Sequence, residues 1–139
     1  MGRDIHPQIL QFFKRMMRNH AVVAGCIDVF DKLNYIFRIE RRRGLSTVLV
    51  YMSDAYFYTK LDYLSRPDEI GPGDFILIAR PEAGFSSEAL AEARRDCIGL
   101  GQIGKLMGAL HHEEVWQYQT QEESAMEREG RVNWEYWRR

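Results

Sequence analysis

The chain has 139 residues, 45% hydrophobic and 28% charged, enough for one domain whose core needs no disulfide or structural metal. Nineteen basic residues stand against twenty acidic ones, a net charge of −1, so no bulk field draws the protein to nucleic acid or to an anionic membrane. No run reaches ~18 apolar residues, and the start MGRDIHPQIL carries neither a leader-like apolar stretch nor the Ser or Thr of a myristoylation signal; the expectation is a soluble, cytoplasmic protein that leaves membranes alone.

In HPQILQFFKRMMRNHAVVAG, residues Ile9, Phe12, Phe13, Met16 and Met17 recur at helical spacing, with Lys14, Arg15 and Arg18 opposite. Pro7 suits a first turn and Gly25 a stop, which predicts a helix over 7–23. Two strands follow: Tyr35, Phe37 and Ile39 alternate with Ile36, Arg38 and Glu40, and VLVYM, 48–52, is continuously apolar. RRRG between them reads as a hairpin tip, with Gly44 free to take a positive φ. Residues 53–66 admit a helix with Tyr56, Phe57, Leu61 and Leu64 as its buried face, or in part another strand; helix is preferred. Gly71, Pro72 and Gly73 make a turn before a buried strand at Phe75 to Ala79, which Pro81 ends. From Ser86 or Ser87 a helix runs to between Gly108 and His112. EVWQYQ, 114–119, reads as a strand, 119–131 as an exposed polar connection, and VNWEYW as a further alternating segment. The order α-β-β-α-β-α-β predicts a single α/β domain over 1–139, with a mixed four- to five-stranded sheet and helices packed on it.

IGLGQIGKLMG, 98–108, has the glycine spacing of a dinucleotide loop, with Lys105 placed for a phosphate. Such a loop must follow a strand and open a helix. Here it follows EALAEARRDC, a run of helix formers. At about 100° per residue, Leu90, Ala93, Cys97, Gly101, Gly104 and Gly108 share one stripe. The preferred reading is a helix pressed closely onto its neighbour; the rival is a break at Gly99, with an anion held by a new helix start and Lys105.

Arg38, Arg41, Arg42 and Arg43 form the strongest basic cluster, either a phosphate grip or a charged edge that keeps the sheet soluble; the edge is preferred. HHEE, 111–114, suits a helix end better than a metal site, because its neighbouring side chains diverge. Cys26 and Cys97 read as buried free thiols. No nucleophile elbow or Cys–His pairing is present.

Asp68, Asp74 and Glu82 bracket the strand PDEIGPGDFILIARPEAG. With these carboxylates, the order of helix, strands, helix, strand resembles restriction-endonuclease-like nucleases. That resemblance implies a metal-dependent cleavage of nucleic acid, in which an Asp and a Glu-x-Lys pair hold the cation and the attacking water. Gly84 stands where the lysine belongs, two residues after Glu82, so Arg80 or Lys60 would have to substitute. At the other end, Trp134, Tyr136 and Trp137 are too apolar to leave solvated without reason. They pair into the chain's own sheet or bind another chain.

Two functions follow. The first, preferred, is a non-catalytic protein-interaction or regulatory module, with a protein partner or a second copy and no cofactor. The alternative is the metal-dependent nuclease, catalytic through Asp68, Asp74 and Glu82, with a divalent metal as its one cofactor and the arginines on nucleic acid.

Overall fold

The computed structural model describes residues 5–29, 35–80, 82–121 and 123–124. Its first helix, α1 (Pro7–Arg18), starts with proline at the first turn, and His6 Nδ1 accepts from the Gln8 amide at 3.1 Å. The helix stops at Arg18, short of residue 23. Residues 19–22 turn the chain, and Val23 opens a strand that the sequence did not announce, β1 (Val23–Asp28). Gly25, read as a helix stop, lies inside that strand, where the register with the next strand shifts between Val23 and Gly25.

The hairpin forms as expected from β2 (Tyr35–Arg41) and β3 (Val48–Ser53), with Arg43 and Gly44 both left-handed at φ 62° and 72°. The segment expected to be one helix divides into β4 (Phe57–Tyr58) and the five-residue α2 (Lys60–Leu64). A capping box starts α2: Thr59 Oγ1 accepts from Asp62 N, and Asp62 Oδ2 accepts from Thr59 N. Then come β5 (Phe75–Ile78), β6 (Gly84–Phe85) and α3 (Ser87–Arg95), the last capped by Ser86 Oγ.

The expected long helix from 87 to about 108 does not exist. It ends at Arg95 in a Schellman motif: Ile98 N donates to Ala93 O at 2.8 Å, and Cys97 N donates to Arg94 O at 3.1 Å. Cys97 takes the left-handed position at φ 63°, which glycine usually fills. The chain then forms β7 (Gly99–Gly101) and a second helix, α4 (Ile103–Ala109). The strand expected in EVWQYQ is a 3-10 turn, Val115–Gln117, lying against β7 and α3 with Val115 buried.

The result is a single α/β domain. Its main sheet has the order β1-β2-β3-β5-β7, antiparallel through β3 and parallel from β3 to β7, and β4 and β6 make a separate two-stranded ribbon. Every residue of β5 is buried, as expected of a strand covered on both faces. Phe75 and Leu77 pack with Phe13, Met17 and Leu106 of α1 and α4. Ile76 and Ile78 pack with Tyr58, Tyr63 and Leu90 beneath α2 and α3. No helix among the described residues is long and apolar enough to cross a membrane.

The glycines do serve close packing, but mostly from a strand. A Cβ at Gly99 would run into the Phe75 ring, one at Gly101 would lie 2.6 Å from Lys105 Cδ, and one at Gly108 would meet the Tyr118 hydroxyl. Gly104 has open space instead. Gly99→Ala should therefore cost about 1–3 kcal/mol through overpacking, while Gly104→Ala should gain about 0.5–1 kcal/mol of helix propensity. Urea unfolding of the two variants measures both signs.

Arg41, at the end of β2, reaches across to the end of α4. Its Nη1 donates to Leu110 O at 2.9 Å and His112 O at 2.7 Å, its Nε to Ser46 O at 2.6 Å, and its Nη2 to Glu113 O at 3.3 Å. The guanidinium is wholly buried. Arg41→Ala leaves those carbonyls without a charged donor and should cost about 3–5 kcal/mol. Arg41→Lys should restore less than half of it, because one ammonium cannot span the same acceptors; the denaturant midpoint reads both.

Candidate functional site

The segment from Tyr56 to Leu64 turns its apolar side outward. The expected buried face was Tyr56, Phe57, Leu61 and Leu64; these four are 65%, 56%, 72% and 59% exposed. The inward anchors are Tyr58 and Tyr63, both almost fully buried. The reversal has a local cause. A five-residue helix offers one and a half turns, and the Tyr63 hydroxyl fixes which side faces in by donating to Asp96 at 2.5 Å. The Arg66 guanidinium lies over the Tyr63 ring at 4.4 Å. Leu61 and Leu64, three apart, then share the outer face.

Arg80, just past β5, orients the aromatic end of this surface. It sits 4.4 Å over the Tyr56 ring, donates from Nε to Asp54 O at 3.1 Å, and pairs with the Asp54 carboxylate at 3.0 Å. The Asp54 bond raises the proton affinity of Arg80 above its ordinary value. Glu82 adds a looser contact at 3.8 Å. Tyr, Phe and Arg are residue types enriched at protein interfaces relative to the rest of a surface. The signal was present in the sequence as an amphipathic pattern, but periodicity does not say which side of a short helix meets water.

The other candidate residues are dispersed. Asp74 precedes β5 and Glu82 follows it, so about 13 Å of strand separates the two positions. Asp74 is already engaged: Oδ1 accepts from Leu49 N at 3.0 Å and Oδ2 from Gly71 N at 2.9 Å, which ties the 71–74 turn to β3. Burial raises its pKa, against these two amides. Asp68 is exposed in a turn. Among the described residues no group of three or more His, Cys, Asp or Glu is arranged to hold a metal ion.

The basic cluster is divided too. Arg41 is turned inward as described, Arg38 lies 3.6 Å from Glu40, and Arg42 and Arg43 are exposed at the hairpin tip. Lys105, expected at a phosphate, is 5% exposed and donates to Glu123 at 3.0 Å. Burial lowers its pKa, and Glu123 opposes that shift. Glu113, from HHEE, accepts from Ser46 N and Ser46 Oγ, and these bonds lower its pKa. His111 packs against His20, whose Nε2 lies 2.8 Å from Met107 O. Both cysteines are free and half-buried. Trp134, Tyr136 and Trp137 lie outside the described residues, as does most of the expected polar connection over 119–131.

No protein family matches this chain, and comparison with curated proteins and with solved structures finds none similar to it.

Beneath the outer surface, the Tyr58 hydroxyl is enclosed and meets no hydrogen-bond partner among the described residues, and burial holds the phenol neutral. Tyr58→Phe removes an unsatisfied polar atom without changing shape. It should raise stability by about 1 kcal/mol, read by thermal unfolding, and leave the outer surface intact.

Proposed function

We propose that this protein is a non-catalytic binding or regulatory module, and that the β4–α2 surface receives an apolar surface of a protein partner or of a second copy. One observation carries the reading: Tyr56, Phe57, Leu61 and Leu64 lie within one short segment, each more than half exposed. Single exposed apolar residues are ordinary, but a group of large ones marks an interaction surface. The arrangement of Tyr56 under Arg80 supports it, because a side chain held in place loses less freedom on binding.

The experiment places a photoreactive phenylalanine analogue at position 57 and identifies the adduct formed in the native cell. Leu61→Glu with Leu64→Glu should change stability by no more than about 1 kcal/mol, both sites being exposed, and should abolish the adduct. The adduct's mass separates a second copy from another protein. No adduct, or one that survives the double substitution, overturns the reading. The nuclease alternative remains a proposal about Asp68, Asp74 and Glu82. Divalent-metal-dependent cleavage of a plasmid, abolished by Glu82→Ala, would replace the module with the enzyme.

A further inference from the structure

On the opposite face of the main sheet, α1 and α4 do not close over the carboxyl ends of β3 and β5. They leave a cleft of about 440 Å³. Met52 and Leu77 form its floor, Ile9 and Phe12 one wall, and Ile103 the other. Its polar side chains are the carboxamides of Gln8 and Gln102, and among the described residues lining it none is charged. Gln102 Nε2 is itself held by Ala83 O.

We propose that this cleft is a binding site for a small, uncharged, predominantly apolar molecule, such as a medium-chain alcohol or a fused aromatic compound. Three observations carry this, and they do not depend on the β4–α2 surface. The first is size. The volume lies within the range of small-molecule sites, roughly three times the ~150 Å³ cavity that holds benzene in a protein core. That space suits a molecule of about three ring equivalents. The second is charge. No charged side chain among the described residues lines it, so an ionic group buried within it would lose hydration with no side-chain counter-charge. The third is place: ligands of open α/β sheets collect outside the carboxyl ends of parallel strands, and β3 and β5 are parallel.

Gly104 gives the test. It lines the cleft, and a Cβ added there meets nothing within 4 Å. A larger side chain can thus enter the space without breaking the helix. The probe is N-phenyl-1-naphthylamine, a neutral dye whose emission rises in apolar surroundings. The full chain should bind it saturably at one site, and decan-1-ol should displace it. Gly104→Leu should weaken binding at least tenfold with an unchanged or higher melting temperature. Ala79→Leu, filling the same space from the end of β5, should do likewise in a protein whose circular dichroism stays native. The proposal fails if no saturable binding occurs, or if both filling variants fold and bind the dye as the parent does. It also fails if binding is lost on Leu61→Glu with Leu64→Glu, which would put the dye on the outer surface.

Discussion

The buried guanidinium of Arg41 is the constraint on which the far half of the molecule depends. Helix α4 has seven residues, too few to be stable alone. Its end leaves carbonyls that the helix cannot satisfy. Arg41 supplies a planar set of donors to Leu110, His112 and Glu113, and another to Ser46 in its own hairpin. The cost of taking that charge out of water appears as a lowered proton affinity, caused first by burial and opposed by Glu113. Glu113 completes the network by accepting from Ser46. The hairpin and the end of α4 are therefore one unit, and the turn at Val115–Gln117 against β7 follows from where that unit stops.

Strong periodicity was legible in the sequence, and short elements were not. The apolar stripe of α1, the alternation of β2 and the continuous apolar runs of β3 and β5 each exceed the noise of neighbouring residues; the three strands form close to where they are expected, and α1 starts at Pro7 but ends at Arg18 rather than 23. The hidden breaks have specific causes. β1 carries Gly25 at a register shift, and glycine is depleted in strands, so the residue reads as punctuation. α3 stops at a left-handed cysteine, and composition alone gives no reason to expect Cys97 there. In EVWQYQ, alternation suggested a strand. Val115 instead enters the core from a 3-10 turn, and the Trp116 carbonyl accepts a weak bond from Arg94 at 3.4 Å.

The glycine stretch separates a physical inference from the element assigned to it. The stripe implies close approach at Gly101, Gly104 and Gly108; a Cβ would displace a neighbour at Gly101 and Gly108 but meets open space at Gly104, while Gly99, outside the stripe, lies against the Phe75 ring. The element was wrong: Gly99 and Gly101 are in a strand that precedes a helix, which is the setting of a phosphate loop. Side-chain chemistry argues against that use. Lys105 lays its stem over Gly101 and gives its ammonium to Glu123, so the cation is spent on anchoring the chain beyond the 3-10 turn. Candidate site residues were thus legible as chemically capable groups, but their partners, tens of residues away in sequence, were not.

The same expenditure runs through the other charged candidates and narrows what the protein can offer a ligand. Arg41, Asp74, Arg80, Lys105 and Glu113 each hold one part of the chain to another. Arg42, Arg43 and Asp68 stay exposed, and large apolar side chains are left open on both sides of the sheet. Around the β4–α2 surface, Lys60, Asp62 and Glu82 are exposed while Arg66 and Arg80 are partly covered by the rings they stack on. Apolar side chains with charges around them stay soluble as a free surface, yet a partner that covers the centre need not desolvate the rim. That distribution is the physical basis for the recognition by shape and apolar contact that we propose.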